Sequence, residues 1–191
     1  VPSEPPTSER ALALLSLASA RMHGGHYRAC LELATEATGV AVATGATGSQ
    51  ASARAMTAVA LVGLGRDEEA VAAIDDAVRL ADGSRGTAEV GIAHIDRAGV
   101  YSAAGRLAEL PDVLSAARTA VDNEGLHEMS EAWLATDEVD LLVWQGCWRE
   151  AEALATRMIE RTPAPSPLAW HLVVRGQLRV RTGRCEEGDR D

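Results

Sequence analysis

The sequence predicts an all-α protein, a right-handed solenoid of about four and a half helical hairpins with a period near 40 residues. Three observations lead there. Similar stretches surround five glycines, Gly25, Gly65, Gly105, Gly146 and Gly183, spaced by 40, 40, 41 and 37 residues, the signature of an internal repeat. Apolar residues on either side of those glycines follow helical steps. The composition, with 36 Ala, no Phe and 3% aromatic residues, supplies a core of small side chains that suits closely packed helices and not a β-sandwich.

Each element follows from registering the chain on the glycines. Five, nine and twelve residues after them come Cys30, Ala34 and Ala37, then Ala70, Ile74 and Ala77, then Leu110, Leu114 and Ala117, then Ala151, Ala155 and Met158. Steps of four and three make one apolar stripe of a helix. Seven residues before the glycines stand Ala18, Ala58, Ala98, Val139 and Gly176, small residues suited to the point where paired helices cross. The glycine supplies the left-handed backbone that ends the first helix of each pair. The predicted first helices cover 8–23, 49–63, 87–103, 127–145 and 167–182, and the second helices 27–42, 67–81, 107–121 and 148–161. Pro111 predicts a late or slightly kinked start to its helix. The repeats span 8–43, 48–82, 86–122, 126–163 and a partial 166–191, all in one domain covering 1–191. The half-helix after Gly183 and the start at Val1 predict a fragment of a longer chain, with an exposed apolar patch on the last first helix that could pair two copies end to end.

The pattern resembles the tetratricopeptide repeat (TPR). Gly65, Asp67 to Ala70, Ile74 and Ala77 match its second helix, Ala58 and Leu61 its first, Tyr101 the aromatic position that Leu61 holds, and Pro163 its closing proline. Arg21 departs from it, and the period exceeds the usual ~34, which predicts longer loops between repeats. Glu138 to Leu154 (EVDLLVWQGCWREAEAL) and Leu168 to Asp189 (LAWHLVVRGQLRVRTGRCEEGD) further resemble the repeat region of large ATP-binding LuxR/MalT-type bacterial transcriptional regulators. That resemblance implies a sensor or docking arm between a nucleotide-binding switch domain and a helix-turn-helix. Neither a G-x-x-x-x-G-K-[ST] loop nor a basic recognition helix occurs in these 191 residues. The alternative is a free-standing TPR scaffold that assembles other proteins.

Charge and chemistry narrow the function. A formal net charge of −10 argues against direct nucleic-acid binding by this segment. Three scattered cysteines, Cys30, Cys147 and Cys185, fit a reducing, cytoplasmic setting and no disulfide framework. No apolar run is long enough to span a membrane, and Val1 to Arg10 lacks the features of a signal peptide. His23 and His26 have no third ligand at clear spacing and read as turn residues. Cys147 beside Arg149 reads as a half-buried turn residue. Acids opening second helices, such as Asp67 to Glu69, complement the helix dipole. No catalytic residue, metal site or cofactor is predicted. A carboxylate clamp of Lys, Arg and Asn is also excluded, because the chain has no Lys and its single Asn, Asn123, is expected in a loop.

What remains is a groove lined by the first helices. Its residues lie about thirteen, ten, six and three before each glycine. In the second and third repeats these are Ser52, Ala55, Val59, Val62, Ile92, Ile95, Gly99 and Ser102; in the last two they become Trp133, Thr136, Asp140, Val143, Trp170, Val173, Gln177 and Val180, with Trp144 and Arg181 on the same rim. Trp133, Asp140, Trp144, Trp170, Gln177 and Arg181 are the candidate site for a protein, peptide or small effector, since Trp and Arg dominate interface energetics. Equally, Trp133 and Trp170, at the same position of adjacent repeats, could pack the long repeats together.

Overall fold

The computed structural model describes residues 5–83, 89–125, 127–161 and 165–191. They form ten helices in chain order: α1 (Ser8–His23), α2 (Tyr27–Thr44), α3 (Thr47–Gly63), α4 (Asp67–Gly83), α5 (Glu89–Ala103), α6 (Leu110–Glu124), α7 (His127–Trp144), α8 (Trp148–Arg161), α9 (Pro165–Arg181) and the single turn α10 (Cys185–Gly188). No strand occurs among the described residues.

The glycines do what the register requires. Gly25, Gly65, Gly105, Gly146 and Gly183 hold φ between 69° and 84°, the left-handed region. At each one the same pair of hydrogen bonds closes the helix. The residue after the glycine donates its N–H five residues back: His26 to Arg21, Arg66 to Leu61, Arg106 to Tyr101, Cys147 to Leu142 and Arg184 to Arg179, at 2.8–3.0 Å. The glycine N–H bonds the carbonyl three residues back, as in Gly65 to Val62 at 3.0 Å. This is the Schellman arrangement, which satisfies carbonyls a helix end otherwise leaves open. At the start of α1, the Thr7 hydroxyl accepts the Arg10 N–H at 3.2 Å.

Two expectations are corrected. Between the first two repeats the connection is only Gly45 and Ala46, not a long loop, because Gly45 (φ 69°) repeats the same closure and α3 restarts at once. The added length of that repeat lies in helices: α2 has 18 residues and α3 has 17. Asn123 lies inside the last turn of α6, which runs to Glu124 before Gly125 turns left-handed, and not in a loop. The start of α6 at Leu110, with Pro111 in its first turn, agrees with the late start expected there. Pro163 and most of 82–86 lie outside the described residues.

Consecutive helices pack as hairpins. In addition α1, α3, α5, α7 and α9 touch in succession, whereas no such contacts join the even-numbered helices among the described residues. The odd helices therefore form the inner layer of a solenoid and the even ones the outer. Ala18, Ala58 and Ala98 are fully buried at the hairpin crossings, as are Ala37, Ala77 and Ala117 on the second helices. The main core cluster runs from α3 through α7, around Ile74, Tyr101, Leu110 and Leu134. A second one joins α7, α8 and α9 around Val139, Met158, Val174 and Leu178.

Candidate functional site

The six residues expected to form a site fall on two inner-layer helices. On α7, Trp133 is half-buried, Asp140 is half-buried and Trp144 is 71% exposed. On α9, Trp170 packs against the second core cluster with Leu142 and Val143. Gln177 and Arg181 are exposed. The tryptophans thus differ in kind: Trp170 contributes to the core, and Trp144 offers most of its surface to a partner. Thr136 is buried and donates to the Trp133 carbonyl at 2.6 Å. The fourth tryptophan, Trp148, donates its indole N–H to the Val143 carbonyl at 3.3 Å across the hairpin turn.

The structure adds two residues to this region, Asp96 on α5 and Asp137 on α7. Both stand nine residues before their hairpin glycine. On α7 the positions Trp133, Asp137, Asp140 and Trp144 are spaced by four, three and four, one continuous helical stripe. Its counterpart on α5 is Ile92, Asp96, Gly99 and Ala103. The two helices are joined beside these stripes, where Ser102 Oγ of α5 donates to Asp140 Oδ2 of α7 at 3.3 Å.

The electrostatics of this seam are unusual for a chain with 18 arginines. Burial pushes the Asp96 carboxyl up to about 7. Asp140 is pushed to about 6 by burial, against the opposing effect of its Ser102 hydrogen bond. Asp137 is 7% exposed and is held well above the carboxylate range, first by burial and then by the charges of Asp140 and Asp96. No cation offsets it. Cations on the surrounding helices face elsewhere: Arg97 binds Asp75 of α4 at 2.8 Å and stacks on the Tyr101 ring at 5.0 Å, and Arg118 of α6 binds Glu138 of α7. From α9, the buried His171 leaves its Nε2 without a hydrogen-bond partner among the described residues, and burial, against the opposing effect of the Ala132 backbone, lowers its pKa, which favours the neutral ring. Burial and neighbouring negative charge raise carboxyl pKa values, so Asp137 keeps its proton most firmly of the three, while Asp140 is largely ionised at pH 7.

Other candidates gather less. His23 Nδ1 bonds the Ser19 backbone oxygen at 2.9 Å, and no group of His, Cys, Asp and Glu with metal-binding geometry occurs among the described residues. Cys30 is buried, Cys147 half-buried and Cys185 exposed, all free thiols. Burial raises the Cys30 pKa, the opposite of activation. An open cleft lies at the first hairpin, between Arg21, His26, Tyr27, Arg28 and Leu64, far along the chain from the tryptophans. At the far end Asp191 binds Arg175 and Arg179, and Glu152 binds Arg179 and Arg184, folding α10 back onto α9. This buries Gly176 against Gly188 and leaves Val173 and Val180 about half exposed, at 51% and 47%. No described helix is long and apolar enough to cross a membrane.

Two solved structures show what the architecture is. A kinesin light chain-like protein of Podosopora anserina with nearly identical TPR-like repeats superposes with a TM-score of 0.61 at 18% identity, covering 98% of this chain and 92% of that one. A single-substitution variant of it gives a TM-score of 0.62 at 16% identity over the same shares. Neither a family model nor a curated relative matches the sequence. The fold is therefore a TPR-like α-solenoid.

Proposed function

We propose that this chain is a noncatalytic docking domain that receives a segment of a partner protein along its inner layer, at the α5–α7–α9 end. One observation carries this reading. The α7 stripe presents Trp133, Asp137, Asp140 and Trp144 in line, and Trp144 is 71% exposed on a chain with only four Trp and no Phe. A tryptophan left in water costs apolar surface that a partner recovers. Gln177 and Arg181 on α9 extend the same face. The resemblance of 138–154 and 168–189 to LuxR/MalT-type regulators supports a finer reading: this is the sensor or docking arm of such a regulator, a single domain of a longer chain, in the bacterial cytoplasm. A free-standing scaffold is the second reading.

Two experiments test these claims. Affinity capture with wild type and with Trp144→Ala should yield a partner that only wild type retains, while Trp148→Ala on the hairpin side keeps it; equal retention by all three overturns the site. Sequencing the reading frame on both sides distinguishes the regulator from the scaffold. An upstream phosphate-binding loop and a downstream helix-turn-helix support the first, and stop codons close to this segment support the second.

A further inference from the structure

Two clefts at the hairpin turns share a lining, one at each end of the array. At the first turn an open cleft of about 620 Å³ is walled by Arg21, His26, Tyr27, Arg28 and Leu64. Between the last two turns a smaller one, of about 360 Å³, is walled by Trp148, Arg149, Glu152, Thr182 and Arg184. Register relates them. Tyr27 and Trp148 stand two residues after their hairpin glycine, Arg28 and Arg149 three after, and Leu64 and Thr182 one before the next hairpin glycine. The second and third turns carry Asp67 and Glu68, then Leu107 and Ala108, at the first two of these positions. In the smaller cleft the chain supplies its own anion. Both η nitrogens of Arg184 donate to the Glu152 carboxylate, at 2.9 and 2.5 Å, and Arg179 Nε donates to it at 3.1 Å. The first cleft has an aromatic ring and two guanidiniums, but no acid of this chain is paired with them. Neither Arg21 nor Arg28 forms an ion pair or a side-chain hydrogen bond among the described residues, and nor does Glu32 on the same wall.

Charge and shape point to one kind of guest. Arg21 and Arg28 against Glu32 leave this wall with a net positive charge on a chain of net charge −10, and a single carboxylate balances it. A guanidinium takes a carboxylate through paired N–H donors, as Arg184 does with Glu152. The apolar part of the wall is fixed in place. A Cβ at Gly63 of α3 would lie 2.5 Å from the Tyr27 ring atoms Cγ and Cδ1, so the glycine lets that ring lie against α3. Leu64 beside it is 37% exposed. The volume falls within the ~300–1,000 Å³ of small-molecule sites. We propose that this cleft binds a small organic acid, its carboxylate paired with Arg21 and Arg28 as Glu152 is with Arg184 and Arg179, and its apolar body against Tyr27 and Leu64. The site is separate from the α5–α7–α9 docking face and does not depend on it.

Two-dimensional amide NMR tests this with 4-phenylbutyrate and its neutral analogue 4-phenylbutanamide, which keeps the shape and loses the charge. The acid should shift the amide signals of Gly25, Tyr27 and Ala29 saturably, and the neutral analogue should bind at least about tenfold more weakly. Arg21 and Arg28 are exposed, so Arg21→Gln and Arg28→Gln should leave the rest of the spectrum unchanged, and each should weaken the acid about tenfold. Arg149→Gln, in the cleft where Glu152 is already held, should leave binding of the acid intact. Equal binding of the acid and its neutral analogue overturns the proposal, as does full binding in both glutamine variants at the first turn. No saturable shift with the acid, or shifts centred on Trp148 and Arg184, also overturns it. The peptide acetyl-Gly-Glu-Leu-Gly-amide serves as the competing occupant: tighter binding of the peptide than of 4-phenylbutyrate at the same amides overturns the small acid in favour of a protein segment.

Discussion

Ser102 on α5 donates its hydroxyl to Asp140 on α7 at 3.3 Å, and this hydrogen bond crosses the seam where Asp96 and Asp137 also meet. That neutral donor serves Asp140 alone of the three acids. The consequences for stability have a definite sign. Each of these carboxyls has a folded pKa above its ordinary value, so the folded state binds more protons than the unfolded chain between about pH 4 and pH 7. Stability therefore falls as pH rises through that window. Asp96 titrates near 7 and Asp140 near 6. The loss is of order a few kcal/mol at most, since Asp96 and Asp140 keep some access to solvent. Glu152 works in the opposite direction: Arg184 and Arg179 hold its pKa down, so its contribution is lost below about pH 4.5. Urea midpoints measured from pH 4 to 8 should peak near pH 5, and a midpoint that climbs steadily to pH 8 would contradict this.

Asp137→Asn should stabilise the protein at pH 8. It keeps the shape of the side chain and removes the charge that Asp140 and Asp96 oppose. The expected gain is about 1–2 kcal/mol, roughly 3–6 °C in Tm, shrinking at pH 5 where the acid is already neutral. Thermal melts at the two pH values check both the sign and the convergence.

Gly63→Ala should destabilise the protein, although alanine is the better helix former by about 1 kcal/mol. A Cβ at position 63 would lie 2.5 Å from the Tyr27 ring atoms Cγ and Cδ1, too near the backbone of α2 for the ring to swing clear. The net cost is about 1–3 kcal/mol. A double-mutant cycle with Tyr27→Ala should recover most of it, because the two positions are in contact.

Ile74→Ala should cost about 2–5 kcal/mol. Ile74 is fully buried in a core whose other members are mostly Ala, Leu and Val, so neighbours have little volume with which to collapse into the hole. Chemical denaturation of the two proteins gives the difference directly.

Gly146→Ala isolates backbone strain. Its φ is 76° and a Cβ there meets nothing within 4 Å, so the cost should be only that of a left-handed alanine, about 1 kcal/mol. A loss several times larger would mean that the added methyl meets packed neighbours at the turn.

Most of the fold is legible in the sequence because its punctuation is. Five glycines at a fixed spacing mark five turns, and the alanines around them mark which face is buried. The start of α3 was misplaced because Gly45 lies outside that spacing, yet it closes its helix by the same hydrogen bonds. The site was legible in part. Asp140 and the tryptophans stand out as rare residues at groove positions, whereas the half-buried Trp170 packs against the second core cluster. Asp96 and Asp137 are hard to read because position nine before the glycine is Met56 in the second repeat and Val174 in the fifth, which look like core. An acid repeated there in two adjacent units was the available signal. Its meaning depends on two helices 41 residues apart coming together, which no local pattern reveals.

Helix α7 belongs to both core clusters: Leu134 anchors it in the first, and Ala135 and Val139 anchor it in the second. Two of the unneutralised acids, Asp137 and Asp140, sit on that same helix. The two halves of the array are therefore fastened along a strip that is partly self-repelling, so charge in that strip weighs against the cohesion of neighbouring hairpins. Protonation of the strip would tighten that joint, and loss of the protons would loosen it. Amide hydrogen exchange along α7, with protection relative to the intrinsic rate at each pH falling as the pH rises, would report the tightening and the release.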